Sequence, residues 1–182
     1  GLLTSSRARD SQEKNIPRLG SPKSIHVSRI EALSPEWILG DTQDNRPDQI
    51  QMLQKKWKVK LFDVKRPESV CDVVAELARL FQRREEAKRF NEGVRKEIST
   101  SEALWRGRER KRTVFLLWDH PYLTANFDTY PSRLMEASGG INVFHQEPLR
   151  EFPVEMEDMI ERNPEVLLLA GEPAPFRPKH IE

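Results

Sequence analysis

The chain has 182 residues, of which 37% are hydrophobic and 32% charged, and its 30 Lys and Arg nearly cancel 29 Asp and Glu. That balance gives no global pointer to nucleic acid or to an anionic membrane surface. A single cysteine, Cys71, excludes an internal disulfide and a cysteine-based metal cluster. No apolar run reaches the roughly 18 residues needed to span a bilayer, and the length allows one domain or two small ones.

The chain opens at Gly1 without an initiator Met and without a signal-peptide pattern. Residues 1–20 are polar and irregular apart from Leu2 and Leu3, and Arg18 to Lys23 reads as a loop with a turn. Ser28 is placed to cap a short helix over about 28–33, with a strand at Trp37–Leu39 behind it. A polar loop, Asp41–Arg46, leaves that strand. Pro47 suits the first turn of a helix over about 47–56 whose apolar face carries Ile50, Met52 and Leu53. Lys58–Val64 is the next strand, and the order β-loop-α-β implies a parallel, right-handed unit.

Ser69 is placed to cap a helix with Val70, Val73, Val74, Leu77, Leu80 and Phe81 on one face. From Arg84 to about Arg108 the pattern stays helical but polar, with a thin stripe of Ala87, Phe90, Val94, Ile98 and Leu104. One long strut on the outside of the protein fits it, as do two shorter helices broken near Ser99-Thr100-Ser101. Glu85–Arg89 and Glu92–Lys96 are in the favourable i,i+4 order for one helix, while Gly93 opposes it. The basic run Arg106–Arg112 reads as a solvated connector or as an anion site. Thr113–Trp118 is the strongest strand pattern. A loop, Asp119–Phe127, a helix over 128–138 with Asp128 as its cap, a strand at Ile141–Phe144, a helix over 155–162 and a strand over 165–169 follow.

Two segments share one pattern. Arg29–Gly40 and Met159–Gly171 each run from a helical ending through a polar residue and Pro-Glu into an apolar stretch closed by Gly. Proline cannot continue a helix and restricts the residue before it, so Ser34 and Asn163 mark helix ends. The unalternating apolar stretches suit strands buried on both faces of a parallel sheet. One α-to-β unit used twice predicts two similar lobes with a cleft between them.

In open α/β sheets ligands bind outside the carboxyl ends of strands. Three loops leave such ends: Asp41–Arg46, Asp119–Phe127 and Gly171–Phe176. The middle one is richest, offering aromatic faces beside hydroxyl and amide groups, the usual make-up of a small-ligand site. The expected ligand contacts are Trp118, Tyr122 and Thr124, then Glu172 and Phe176, with Asp41 and Asn45 from the first lobe. Trp118 reads equally well as a core residue, whereas Tyr122, beside a proline in a polar loop, reads as exposed. A metal-dependent hydrolase using Asp119, His120 and Asp128 is the alternative, although adjacent residues on a strand point apart. There is no nucleophile elbow, phosphate-cradling glycine loop or Cys–His pair, so the reading is of a binding protein without a cofactor and not of an enzyme.

The run Trp118-Asp119-His120-Pro121-Tyr122, then Asp128-Thr129-Tyr130, Gly139-Gly140-Ile141-Asn142-Val143-Phe144, Phe152-Pro153-Val154 with Glu157-Asp158, and Asn163-Pro164-Glu165 through Pro173 resembles the C-terminal lobe of the cobalamin- and iron-complex-type ABC transporter substrate-binding proteins. More narrowly it resembles their helical backbone metal receptors. Ile16–Lys23, Ile30–Glu36 and Asn45–Asp48 are similar to the N-terminal lobe, so the resemblance covers about residues 16–176. It implies an α/β fold of two small parallel-sheet βα lobes bridged by one long backbone helix, of the class III periplasmic-binding-protein type. The expected parts are an incomplete N-terminal lobe at 1–68, a helical bridge at 69–110 and an incomplete C-terminal lobe at 111–182, truncated at both ends. The resemblance also implies capture of a metal complex, corrinoid-like or siderophore-like, in the interlobe cleft, and a monomer in the periplasm or at the cell surface. Glu157 falls at the position of the family's permease-docking glutamate, and Asp48 is displaced by one residue from its N-lobe counterpart. The family's N-lobe loop carries rings that stack on a corrin or haem, but Thr4–Asp10 holds none.

Overall fold

The structure, a computed structural model, describes residues 17–171 and Phe176. Contacts divide the chain into two compact units, Gly1–Asp63 and Val64–Glu182. In the first, a short antiparallel pair, β1 (Gly20–Ser21) and β2 (Ser24–Ile25), precedes α1 (Val27–Leu33), β3 (Trp37–Asp41), α2 (Pro47–Gln54) and β4 (Lys58–Phe62). β3 and β4 pair in parallel, with Trp37 opposite Lys58 and Asp41 opposite Phe62. Ile30, Ile38, Ile50 and Leu53 form the core of this unit, and Trp57, Val59 and Leu61 pack on it. Ile50 and Leu53 lie three residues apart and share a face; Met52 falls off that face and is exposed. Ser28 does not cap α1, because the helix begins one residue earlier and its N-cap is His26.

The repeated α-to-β pattern has a common backbone device. Ser34 and Asn163, each just before a proline, both take the left-handed conformation, with φ of 44° and 47°. That geometry ends a helix and turns the chain into the following strand.

The second unit begins with α3 (Ser69–Phe81) and α4 (Arg84–Trp105). Ser69 is the first residue of α3 rather than its cap; its Oγ donates to the Arg66 carbonyl and accepts from the Arg66 N–H, closing the entering turn. The buried members of α3 are Cys71 and Ala78, seven residues apart, whereas Phe81 is exposed. α4 is one unbroken helix of 22 residues, about 33 Å long. It ends at Trp105, and Gly93 and Ser99-Thr100-Ser101 lie inside it. Its less exposed residues are Ala87, Asn91, Val94, Ile98, Ser101 and Trp105, alternating steps of four and three. This corrects the expected stripe: Phe90 and Leu104 face solvent, and Asn91 and Ser101 replace them because each donates to a backbone carbonyl of a neighbouring helix. Asn91 Nδ2 donates to the Cys71 carbonyl at 2.9 Å, and Ser101 Oγ donates to the Ala137 carbonyl at 2.7 Å.

Asn91 Oδ1 is nevertheless buried without a partner among the described residues. An unmade hydrogen bond on a desolvated carbonyl costs about 1–3 kcal/mol. Asn91→Leu should therefore raise stability by about 1 kcal/mol, read as a higher denaturation midpoint with an unchanged m-value. A midpoint below wild type would show that the Cys71 bond outweighs the orphaned oxygen.

β5 (Lys111–Leu116) follows α4, and the strand expected to run to Trp118 stops at Leu116. β6 (Trp118–Asp119) and β7 (Tyr122–Ala125) then form a hairpin around His120 and Pro121, joined by a peptide bond in the cis form. The stretch expected as loop is thus largely strand, since its neighbours pair across the hairpin. α5 (Tyr130–Ala137), β8 (Gly140–Asn142), β9 (Glu151–Pro153), α6 (Met156–Glu161) and β10 (Val166–Leu169) complete the unit. A parallel sheet has the order β10-β5-β8, and an antiparallel one the order β6-β7-β9. Val114, Leu116, Phe144, Val154 and Met159 make the core. β10 is not buried on both faces: Val166, Leu167 and Leu168 are exposed, because β10 is an edge strand over a partly open sheet face.

The Glu165 carboxylate ties β10 to β5. It accepts from Lys111 Nζ at 2.9 Å and from the Arg112 N–H at 3.0 Å. The bond from that backbone N–H, then the one from Lys111, holds the Glu165 carboxyl below its ordinary range, and Glu165 in turn raises Lys111. A lowered carboxyl contributes stability above its unfolded value, about 4.3, and loses it as pH falls through the folded one. The advantage of wild type over Glu165→Gln should be level near neutrality and shrink on acidification below about pH 4.3. Denaturation midpoints across that range check it.

Candidate functional site

β5 carries the chain to the β6–β7 hairpin, which projects beyond the strand's carboxyl end. Two links fix it there: the Leu117 N–H donates to the Leu123 carbonyl at 2.8 Å, and Thr124 Oγ1 donates to the Phe115 carbonyl at 2.7 Å. Thr124 is only 1% exposed, so it holds the hairpin on β5 rather than meeting solvent. Trp118 is half-buried, and its indole Nε1 donates to the His120 carbonyl at 3.2 Å. Tyr122, expected to be exposed, is also half-buried, because one side of its ring packs on the Val114–Phe144 core. His120 is exposed at the tip and meets Tyr122 edge to face, with centroids 6.4 Å apart.

Behind the hairpin lies a buried polar network that sequence reasoning missed. Asn142 Nδ2 donates to the Ala125 carbonyl and to Ser132 Oγ, and its Oδ1 accepts from the Phe144 N–H. Asn126 Nδ2 donates to the Glu147 carbonyl, and its Oδ1 accepts from the Asp128 N–H. These amides splice β7, α5 and the loop after β8 together. Their only sequence signal was amides inside apolar stretches, which reads as readily as loop.

Phe176 is half-buried against the same core, and Glu172 lies outside the described residues. In the first unit Asp41 ends β3. Its Oδ1 accepts from the N–H groups of Gln43 and Asp44, curling the loop back on itself. The Asn45 side chain is engaged at both ends, accepting from the Asp41 N–H at 2.8 Å and donating to the Pro22 carbonyl at 3.0 Å. Thr4–Asp10, the ring-free segment, also lies outside the described residues.

The two acids with an expected docking role have different settings. Glu157 is exposed in the first turn of α6, a helix closed by a capping box between Glu155 and Asp158. Asp48 is held by Arg46 through two bonds, Nε at 3.0 Å and Nη2 at 2.7 Å. That guanidinium keeps the Asp48 carboxyl below the ordinary range.

Asp119, His120 and Asp128 do not assemble as metal ligands. Asp128 pairs instead with Lys65 at 3.1 Å and with Arg150 at 3.5 Å, and it does not cap α5, whose N-cap is Thr129. Among the described residues no three His, Cys, Asp or Glu side chains are grouped to hold an ion. The hydrolase alternative thus loses its ligand set.

Loops at the carboxyl ends of parallel strands are where open α/β sheets bind their ligands. The chain matches the periplasmic binding protein family over residues 3–182 and belongs to it. It is 22% identical over 161 residues to the vitamin B12-binding protein of Salmonella typhimurium, covering 88% of this chain and 60% of that one. It is 23% identical over 175 residues to the high-affinity heme uptake system protein IsdE of Staphylococcus aureus, covering 92% and 58%. Among solved structures it is similar to the periplasmic vitamin B12 binding protein BtuF of Vibrio cholerae, with a TM-score of 0.80 at 19% identity, covering 88% and 63%. The heme binding protein HutB of the same organism gives 0.76 at 20%, covering 92% and 66%. The fold is that of the class III periplasmic binding proteins. The chain spans about 60% of the length of the curated relatives it matches.

Proposed function

We propose that this protein is a receptor that captures a metal complex of the tetrapyrrole or siderophore kind and presents it for ABC import. The observation that carries the reading is the β6–β7 hairpin, which sets Trp118 and Tyr122 beyond the carboxyl end of β5, where α/β sheets bind ligands. The relatives named for vitamin B12 and heme support the ligand class. In this reading Trp118 and Tyr122 supply aromatic contact area, Glu172 and Phe176 add to the contacts, and Thr124 holds the hairpin in place. Glu157 is the docking acid for a permease. Asp48 serves there only once Arg46 is drawn away from it. The protein acts as a monomer and carries out no catalysis.

The test is titration of cyanocobalamin and of haemin into wild type and Trp118→Ala. The variant should lose about 1–3 kcal/mol of binding while melting as wild type does. A variant that melts far lower without ligand would make Trp118 a core residue, and absence of binding to either compound would remove the tetrapyrrole kind of ligand.

A further inference from the structure

The basic run Arg106–Arg112 reads in the sequence as a connector or an anion site, and the structure divides it between the two. Lys111 and Arg112 are held by the Glu165 carboxylate at 2.9 and 3.5 Å, and Glu109 sits beside Lys111 at 4.0 Å. Arg106, Arg108 and Arg110 are exposed, and none has a carboxylate partner among the described residues.

An ordered turn presents the first two of these. Arg106 has φ of −63° and ψ of 118°, Gly107 has φ of +74°, and the Arg108 N–H donates to the Trp105 carbonyl at 3.1 Å. That is a type II turn, whose third position needs the positive φ that glycine supplies. It folds Arg106 and Arg108 back over the end of α4, where with Ser99, Thr100, Ala103 and Leu104 they line a hollow of about 550 Å³. Arg95 and Lys96 lie four residues before Ser99 and Thr100, one turn lower on the same face of the helix. Neither has an ion-pair partner among the described residues, and the nearby Glu97 and Glu102 pair with none of these cations and do not line the hollow. Ser99 Oγ donates to the Lys96 carbonyl at 2.9 Å, whereas the Thr100 hydroxyl has no partner among the described residues. A cation in the last turn complements the helix dipole. That accounts for Arg106 and leaves Arg95 and Lys96, well inside the helix, without a role.

We propose that this hollow binds a soluble ligand carrying linked phosphate groups, with Arg106, Arg108 and the Thr100 hydroxyl donating to one phosphate and Arg95 and Lys96 facing the next. Planar guanidinium groups match the oxygens of a phosphate, and a hydroxyl adds a donor from below. The surface is concave, and the Trp105 ring is turned in against Gly139, so no aromatic anchor projects toward a lipid plane. α4 ends and β5 begins here, whereas the hairpin lies beyond the other end of β5, so this binding is independent of ligand capture there.

The probe is inorganic tripolyphosphate, titrated by calorimetry into the protein at two salt concentrations. Wild type should bind it, and more weakly at high salt. Arg106→Gln with Arg108→Gln should lose about tenfold in affinity, and Thr100→Val, which keeps the shape and removes the hydroxyl, about threefold. Lys55→Gln with Arg79→Gln removes the same charge elsewhere and should leave the affinity nearly unchanged. An equal loss in both double variants overturns the proposal, because binding would then follow net charge and not this hollow. Absence of tripolyphosphate binding also overturns it. In that event, co-sedimentation with phosphatidylglycerol vesicles but not with phosphatidylcholine vesicles would make the turn a membrane contact. A lower melting temperature of the arginine double variant, with no binding to either, would leave the arginines as partners of the helix dipole alone.

Discussion

Gly139→Ala should destabilise the protein by about 3 kcal/mol or more, although it adds a single methyl group. Two costs act together. Gly139 has φ of +93°, a backbone conformation that side chains with a Cβ rarely adopt. A Cβ built there would also stand 2.1 Å from Trp105 Cε2 and 2.2 Å from Cδ2, well inside contact distance. The indole is the last side chain of α4, and it must either rotate off this turn or carry the helix end with it. If the indole keeps its place, either α4 lifts from the α5–β8 turn or β8 slips against β5, whose Lys111 N–H donates to the Gly139 carbonyl at 3.2 Å. Gly93→Ala is the control. It lies inside α4 with no atom within 4 Å of a built Cβ, so it should gain about 1 kcal/mol from helix propensity. Urea denaturation of the two variants should move the midpoint in opposite directions. A Gly139→Ala protein as stable as wild type would mean that the α4 end is not anchored at this turn.

The elements were legible in the sequence where local chemistry decides them. Pro35 and Pro164 stop helices, Pro47 starts one, and the strands expected at 37–39, 58–64 and 165–169 are found at Trp37–Asp41, Lys58–Phe62 and Val166–Leu169. What was not legible came from pairing between distant segments. Trp118 and Thr113 stand in one apolar run, yet the chain turns at Leu117 and puts them in different sheets, because Trp118 pairs with Leu123 of β7, which in turn pairs with β9. The stripe on α4 was misread for a related reason: Asn91 and Ser101 look like solvent residues until the carbonyls of Cys71 and Ala137 are brought to them. At the candidate site, residue type pointed to the stretch after β5 as a loop, and gave neither its pairing as a hairpin nor its facing. Thr124 and Asn45 offer polar groups on paper, and both are engaged in holding their own loops.

Phe144→Ala should be among the most costly substitutions in the second unit, at about 3–5 kcal/mol. Phe144 is 1% exposed at the centre of the core formed with Val114, Leu116, Val154 and Met159. Its ring meets Phe152 edge to face at 5.7 Å between centroids and carries the Arg162 guanidinium 4.4 Å from its own centroid. Arg162 is held in that place by the Val143 carbonyl and the Glu147 carboxylate, so removing the ring leaves a cation over a cavity as well as the cavity itself. At roughly 2–4 °C per kcal/mol for a chain of this size, the melting temperature should fall by about 6–20 °C. A second effect follows from what rests on this core. Tyr122 and Phe176 pack against it from the side of the candidate site, and Phe152 lies in β9, which pairs with β7. If the hairpin is the ligand platform, Phe144→Ala should also weaken cyanocobalamin or haemin binding, measured well below the variant's melting temperature. Trp118→Ala, in contrast, should lower affinity without lowering stability. A Phe144→Ala protein that is destabilised yet binds with full affinity would show that the hairpin keeps its shape without the core beneath it, held by the links of Leu117 and Thr124 to β5 and by its pairing with β9.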